Sequence, residues 1–335
     1  MRWFRSNKDT STDRSPGQSI KLPDIIASNI KAVTDLDGAH YVFLLTFNTG
    51  EQVVLKAESG VSTTNRAKSH DLGVKIMGVV SAVKAKALTE AEKMQVGLID
   101  TGISRDFFRA EQVVRSGNYN WVKAAFQSGL AGLKGVAQFV DTVNGFGVDN
   151  PIKKAEAKAT MIKMNKDLKG NTKAWESLGG IIAADMLIAN SDRINLHYGQ
   201  IVNLGNVQFR RSGKKIVEAV GLDTFDPAQA GRAGDMFSTN IQEWQNEFGI
   251  YLKDLTQAKT QLFACMESGK AEIDQLYGAG TCEWGKKESN ALYSGYVKGI
   301  EKLKAKMKLQ GPKLMKQGSA APKGLMLKLN WLGWL

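Results

Sequence analysis

Residues 174–193 read AWESLGGIIAADMLIANSDR, and the organisation of the second half of the chain follows from them. Leu178, Ile181 and Met186 belong to an apolar set that would cover most of the surface of a helix. A helix that is apolar nearly all round is buried in a protein interior. Because the run ends in the polar residues 190–193, the sequence predicts a buried helix over 174–189 that carries polar side chains to its C-terminal end.

Two short predicted strands, over 206–209 and 216–222, add two polar residues to this end of the helix. Asn206 begins the first strand, and Asp223 follows the second. A hairpin of this length can fold back to the helix, which would bring Asp192, Asn206 and Asp223 together in one cleft. Such oxygen ligands suit Mg²⁺ that bridges phosphates, and a carboxylate without metal can orient or deprotonate a hydroxyl. Alternatively, Asp192 caps a loop and Asp223 starts an ordinary turn.

The first half of the chain has the pattern of a small antiparallel sheet. Segments 27–36, 40–47 and 52–57 are predicted strands, and the central one is rich in β-branched and aromatic residues. Hairpin turn signals separate them at residues 37–38 and 48–50. We therefore expect three strands that pair in sequence order.

The remaining segments are mostly helical in pattern, with one further strand. Helices are predicted over 65–80, 106–114, 121–133, 235–265 and 285–308. Segment 91–99 fits more than one type of structure. A buried strand over 135–140 leads into the Gly-containing segment 143–147, which would suit a boundary between two lobes.

Composition excludes several classes of protein. The 335 residues carry 45 Lys and Arg against 33 Asp and Glu, a net charge of +12 that favours phosphate-bearing partners. Having only Cys265 and Cys282, the chain is not a disulfide scaffold, and we expect both thiols to be buried. No apolar run approaches the ~20 residues of a membrane span. Because no apolar segment follows the basic residues 1–5, we do not expect a cleaved Sec-type signal peptide. We expect a cytoplasmic protein, or one secreted into a host cell by another route.

The two ends of the chain differ from the middle. Residues 1–20 are polar, rich in Ser and Thr and without periodicity, which predicts a disordered leader compatible with a secreted bacterial effector. Residues 311–335 combine Lys with Trp331, Trp334 and other apolar side chains. This basic-aromatic tail fits contact with a membrane surface or a partner, and it fits equally well a segment that folds back on the body.

The run Asp185 to Arg193 resembles the catalytic-loop signature of atypical kinases. It is most similar to the actin-fragmin kinase type and shares features with phosphatidylinositol kinases and secretory-pathway kinases. In that group a helix that carries an Asp ends in an Asn-x-Asp-Arg loop, here residues 190–193. A Gly-Asn segment then supplies a metal-binding Asn, here within residues 203–206, and a metal-binding Asp closes the set, here within residues 221–223.

The resemblance implies a role for each matching residue of the loop. Asp192 would be the catalytic base or the carboxylate that positions the substrate. Arg193 would steady the loop through a carboxylate such as Asp185. Asn206 and Asp223 would hold Mg²⁺, with Asn195 and Asn203 as the alternatives to Asn206.

Upstream, residues 52–57 resemble the third-strand lysine segment of the same group. Lys56 would contact the α and β phosphates of ATP, because an ammonium group acts there as a point charge. Asp71 is the best-placed acidic partner for Lys56, with Glu90 and Glu92 behind it. Residues 138–141, with Gln138 and Val140, resemble the strand and hinge at the nucleotide.

The expected fold is α+β, a two-lobed protein-kinase-like fold with a small antiparallel-sheet N-lobe and a mostly helical C-lobe. The expected domains are the leader over 1–20, the N-lobe over 21–145, the C-lobe over 146–310 and the tail over 311–335. ATP and Mg²⁺ would bind between the lobes. The resemblance implies transfer of the γ-phosphoryl group to a Ser or Thr hydroxyl of a protein, with a host or cytoskeletal protein as the expected partner.

Other functions stay open at the level of sequence. One is a lipid kinase that acts on a phosphoinositide head group, which the basic tail would suit. Another is a kinase-like binding module without turnover, because no full Gly-x-Gly-x-x-Gly loop precedes Lys56. A third is transfer of AMP or another group from the nucleotide. Binding of nucleic acid is not expected.

Overall fold

Antiparallel strand pairing organises the first part of the chain. The computed structural model describes residues 22–37, 41–99, 104–127, 129–133, 151–226 and 232–335. These residues form two compact units. The first takes in the described residues of Met1–Lys75 and Val83–Ser128, and the second those of Ile76–Ala82 and Gly129–Leu335. The fold is α+β, with a small antiparallel sheet and a mostly helical region.

The first unit is built on a five-stranded antiparallel sheet in the order β1-β2-β3-β5-β4. In chain order its elements are β1 (Ile30–Asp37), β2 (Val42–Phe47), β3 (Gln52–Ser59), α1 (Thr64–Met77), β4 (Ala85–Ala87), α2 (Glu90–Val96), α3 (Arg105–Arg115) and β5 (Tyr119–Ala125). The last two residues of α1 belong to the second unit. The three predicted strands, their antiparallel pairing and the helix after them are confirmed. Segment 91–99, whose secondary structure the sequence pattern does not decide, contributes most of α2. This helix begins with a capping box formed by Thr89 and Glu92.

One face of this sheet carries an aromatic core. Phe43 meets Phe107 edge to face at a centroid distance of 5.1 Å, and Phe107 stacks on Trp121 at 5.8 Å. All three rings are fully buried. The indole of Trp121 donates a hydrogen bond of 2.9 Å to Glu111 on α3, so the helix and the sheet are joined by a polar contact as well as by packing.

The predicted helix over 121–133 is wrong. Its residues form β5 and, in the second unit, β6 (Leu130–Gly132). Strand β5 lies between β3 and β4, and four consecutive residues of it, 120–123, are buried. A strand buried on both faces loses the alternation that distinguishes a strand from a helix in sequence.

The second unit is mostly helical. It continues with α4 (Pro151–Leu168), α5 (Thr172–Ile188), the short strands β7 (Ile194–Asn195), β8 (Gln200–Ile201), β9 (Gln208–Ser212) and β10 (Lys215–Val220), then α6 (Gln242–Trp244), a π-helical turn (Gln245–Gly249), α7 (Ile250–Lys253), α8 (Leu255–Tyr277), α9 (Lys286–Met315) and α10 (Lys323–Leu332). Strands β10, β9 and β6 form one antiparallel sheet, and β7 pairs with β8. The predicted helix over 174–189 is confirmed as α5, which is buried over most of its length. Both cysteines are buried, and burial raises the pKa of each thiol to about 12.

Glycines let α5 and α9 cross with their backbones in contact. A Cβ added at Gly295 would lie 1.9 Å from the carbonyl oxygen of Glu176, and one added at Gly179 would lie 2.0 Å from that of Leu292. Such distances are far inside van der Waals contact. The close crossing of α5 and α9 therefore requires residues without a side chain at positions 179 and 295.

Gly295→Ala is expected to lower the free energy of unfolding by about 1–3 kcal/mol or more, because the added methyl group must push two helices apart. Gly180→Ala on α5 is the matched control, since its Cβ would meet Val80 at an ordinary 3.5 Å. Urea unfolding of both variants measures the difference. Equal losses in the two variants would show that the crossing tolerates a methyl group.

The C-terminal tail forms α10 and packs within the second unit. Leu325, Leu329 and Trp334 are buried. Lys328 is also buried, and its ammonium group donates a 2.6 Å hydrogen bond to the carbonyl oxygen of Ala233. Burial lowers the pKa of Lys328 to about 7. The structure thus places the tail on the body, and contact with a membrane surface stays a prediction.

Three sequence predictions fall outside the described residues. They are the leader over 1–20, the strand over 135–140 and the lobe boundary at 143–147. Among the described helices, none combines the length and the apolar character that crossing a membrane requires.

Candidate active site

A buried ion pair forms the base of the candidate site in the second unit. The guanidinium of Arg193 binds Asp185 through two hydrogen bonds, Nε to Oδ2 at 3.0 Å and Nη2 to Oδ1 at 2.7 Å. Both side chains are about 1% exposed. Burial raises the pKa of Asp185, and the guanidinium opposes that rise. Burial alone would lower the pKa of Arg193, but the carboxylate of Asp185 outweighs it and the pKa is raised, so Arg193 stays charged.

A left-handed residue turns the chain from α5 into the loop above this pair. Ala189 adopts φ 59° and ψ 42° at the end of the helix. The next residue, Asn190, is buried and donates from Nδ2 to Asp185 Oδ1 and to the carbonyl oxygen of Asp223, both at 3.0 Å. Its Oδ1 accepts from the backbone N–H of Asp192 at 3.2 Å. One amide therefore holds the helix end, the loop and the chain after β10 together.

Asp192 and Asn206 are in direct contact. The amide Nδ2 of Asn206 donates to Oδ2 of Asp192 at 2.6 Å and to its carbonyl oxygen at 3.3 Å. Both side chains are half-buried. The amide group orients the carboxylate of Asp192, and the Oδ1 oxygen of Asn206 is left as a further acceptor.

Asp223 reaches the same network through its backbone. Its carbonyl oxygen accepts from Asn190, and Arg193 Nη1 donates to the carbonyl oxygen of Leu222 and lies 3.5 Å from that of Asp223. Asp223 is exposed and has φ 48°, a left-handed conformation that Asp tolerates better than most residues. The structure thus brings together Asp192, Asn206 and Asp223, as well as Arg193.

The alternatives to Asn206 lie in other contacts. Asn203 Oδ1 accepts from the backbone N–H of Gly205 at 3.0 Å, and Asn195 Oδ1 accepts from that of Tyr198 at 3.3 Å. Each amide caps its own turn. Asn206, in contrast, binds the carboxylate of Asp192 through its side chain.

The predicted nucleotide residues of the first unit have other partners. Lys56 lies in the middle of β3, its side chain is 28% exposed, and its ammonium group pairs with Glu58 at 3.0 Å. The expected pair of Lys56 with Asp71 is replaced by local contacts of Asp71. Its carboxylate accepts from the backbone N–H of Ala87 at 2.8 Å and lies 3.3 Å from His70. Lys56 on β3 and Asp71 on α1 therefore bind different neighbours, and the predicted Lys56–Asp71 pair is wrong.

The first unit also contains a buried ion pair that was not predicted from the sequence. Lys123 on β5 binds Glu92 on α2, and both are buried on the core face of the sheet. Burial raises the pKa of Glu92, but the hydrogen bonds from Lys123 and Thr89 outweigh it and the pKa is lowered. Glu92 therefore pairs with Lys123. Glu90, the other acidic candidate for Lys56, pairs with Lys93 on its own helix at 2.6 Å.

Two other predicted residues, Gln138 and Val140, lie outside the described residues. Sequence reasoning also missed two contributors to the site in the second unit. Asn190 was noted only as part of the loop, and Ser191 donates from Oγ to Asp226 Oδ2 at 2.7 Å. A run of four polar residues directly after a buried helix is the signal that could have indicated both.

The oxygen atoms at this site fit a hard divalent cation. Asn206 offers an amide oxygen and Asp223 an exposed carboxylate. Mg²⁺ is commonly held by one or two protein carboxylates together with water and substrate phosphates. Within the described ranges, no group of three or more His, Cys, Asp and Glu side chains converges on a possible metal position. A metal at this site would therefore need further ligands, such as water or phosphate oxygens.

Comparison with family models, with curated proteins and with solved structures finds no match for this chain.

Proposed function

We propose that this chain is an ATP- and Mg²⁺-dependent phosphotransferase with a kinase-like two-lobed fold. The observation that carries the proposal is the hydrogen-bonded set of Asp192, Asn206 and Arg193 around the buried Asp185. The set keeps the order of residues that the resemblance to atypical kinases implies. A buried ion pair beneath a half-exposed carboxylate is a rigid support, and a rigid support is what a positioned catalytic group needs.

In this function Asp192 accepts the proton of the acceptor hydroxyl. The hydroxyl oxygen forms a bond to the γ-phosphorus of ATP as the bond from that phosphorus to the ADP oxygen breaks. Asn206 keeps the Asp192 carboxylate in one orientation. Arg193 holds the loop in place through its hydrogen bonds to the buried Asp185. Mg²⁺, held by Asn206 and Asp223, would neutralise the charge of the phosphates when it is bound.

The units taken separately support the same proposal. The first has an antiparallel sheet with Lys56 on its third strand, which is the strand that carries the phosphate-binding Lys in protein kinases. The second has a mostly helical body, which suits the larger kinase lobe. The pairing of Lys56 with Glu58 rather than with a helix carboxylate differs from the protein-kinase arrangement.

The acceptor proposed is a Ser or Thr hydroxyl of a protein. The test incubates the full chain with Mg²⁺ and either γ-labelled or α-labelled ATP, alone and with a eukaryotic cytosol extract. Transfer of the γ label to protein is the expected result. Transfer of the α label would indicate nucleotidyl transfer, and label in the organic extract would indicate a lipid kinase. ATP binding without transfer would favour a binding module.

A further inference from the structure

A cavity of the second unit, separate from the contacts described above, is lined by uncharged polar side chains together with apolar and aromatic ones. Its volume is about 540 Å³, within the range of small-molecule sites. Five of its nine lining residues carry a primary carboxamide: Gln242, Gln245, Asn246, Gln257 and Gln261. Lys, Arg, Asp and Glu are absent from this lining, although the chain as a whole is 23% charged. The cavity therefore suits a neutral ligand.

Most of these amides are available to a ligand. Within the part of the chain that the structure describes, the side chains of Gln245, Gln257 and Gln261 make no hydrogen bond to protein, while Gln242 donates to Asn246 at 3.3 Å. A primary amide supplies two donors and an oxygen with two lone pairs. The lining thus presents a high density of mixed donors and acceptors in a small volume.

The elements that hold these amides are well fixed. Gln245 begins the π-helical turn, an uncommon element that is frequent at functional sites. Gln261 lies against the β7–β8 hairpin at Gly199, where φ is +61° and a Cβ would come within 2.8 Å of Gln261 Oε1. Close backbone approach at this glycine packs the hairpin against α8.

The C-terminal helix supplies an apolar wall of the same cavity. Trp331 lines it together with Ile250. The Trp331 ring meets Trp244 edge to face at 5.7 Å, and the ammonium group of Lys253 lies 4.2 Å from its centroid. An indole is a rigid, amphipathic surface on which the C–H groups of a ligand can pack.

We infer that this cavity binds a neutral polyhydroxylated ligand, one or two sugar rings in size. A sugar has a hydroxyl on nearly every carbon, so it matches the density of amide donors and acceptors. A peptide has one donor and one acceptor per backbone unit, and a nucleobase carries its few donors and acceptors in the plane of a flat ring, so either would leave several amides unmatched. The inference is independent of the proposed phosphotransfer, because it concerns binding without ATP.

The test applies the full chain to an array of neutral, sialylated and sulfated glycans, and measures adenosine and an uncharged Gly-Ser peptide by calorimetry. Binding of a neutral glycan is the expected result. Gln245→Ala with Gln261→Ala should weaken that binding about tenfold or more, since two hydrogen bonds are lost. Gln310→Ala, at an exposed glutamine of α9, is the matched control and should leave binding unchanged.

Gln257→Ala provides a second variant at an exposed position in case the double variant fails to fold, and it should weaken binding severalfold. Three results with glycans would overturn the inference. They are failure of every neutral glycan to bind, preference for acidic glycans, and glycan binding that neither Gln245→Ala with Gln261→Ala nor Gln257→Ala weakens. Binding of adenosine or the peptide in place of a glycan would also overturn it.

Discussion

Asp192→Asn is expected to lower the turnover number for phosphoryl transfer by about 10²- to 10⁴-fold, the usual contribution of a positioned general base. The substitution keeps the size of the side chain and an oxygen that can accept from Asn206, whose amide now binds Asp192 at 2.6 Å. It removes the group that takes the proton. Affinity for ATP should change little, because in the proposed function Asp192 acts on the acceptor hydroxyl. Single-turnover transfer of γ-labelled phosphate, with ATP binding measured in parallel, checks both quantities.

Asp106→Asn is the matched control, because Asp106 is an exposed carboxylate on α3 that, among the described residues, pairs with Arg109 of its own helix at 3.3 Å. It should transfer phosphate like the wild type. If Asp192→Asn retained full turnover, Asp192 would have no catalytic role and the proposed function would lose its main support. If neither wild type nor variant bound ATP, the kinase assignment would fail altogether.

Arg193→Leu is expected to destabilise the second unit by about 3–5 kcal/mol, which is the cost of leaving one charge of a buried pair unpaired. Arg193 is 1% exposed and makes both hydrogen bonds that neutralise Asp185. Its loss also frees the carbonyl oxygen of Leu222, so the chain after β10 keeps its link to the end of α5 through Asn190 but loses the one through Arg193. Urea unfolding followed by near-ultraviolet circular dichroism measures the loss.

Two further variants distinguish the cost of breaking the buried ion pair from the general effect of removing an arginine. Arg109→Leu breaks the exposed pair with Asp106 and should cost about 0–1 kcal/mol. The double variant with Asp185→Leu removes both buried charges and should recover part of the stability that Arg193→Leu loses. A double variant no more stable than Arg193→Leu would show that the loss comes from packing and loop contacts rather than from the unpaired carboxylate.

Local patterns in the sequence were sufficient for much of the fold. Alternation and turn residues predicted β1, β2 and β3, and the apolar run over 174–189 predicted α5. The failure at 121–133 has a local cause as well. Strand β5 is buried on both faces, so its sequence has no alternation to distinguish it from a helix.

Part of the candidate site was also predicted from local patterns in the sequence. Asp192, Asn206 and Asp223 stand at the ends of predicted elements, and the return of a short hairpin constrains where those ends can meet. The pairing of Lys56 with Asp71 had no such constraint. It depended on which neighbours α1 meets, and Asp71 binds the backbone of β4 instead.

What the sequence by itself determined is the set of elements with clear periodicity and the polar loop at the end of α5, because these depend on residues close together in the chain. Tertiary structure alone decided the partners of the buried charges, such as Lys123 with Glu92 and Lys328 with Ala233. It also decided that the tail docks on the body and that carboxamides from α6, the π-helical turn and α8 meet in one cavity. Those outcomes depend on contacts between distant segments, which no local pattern of residues specifies.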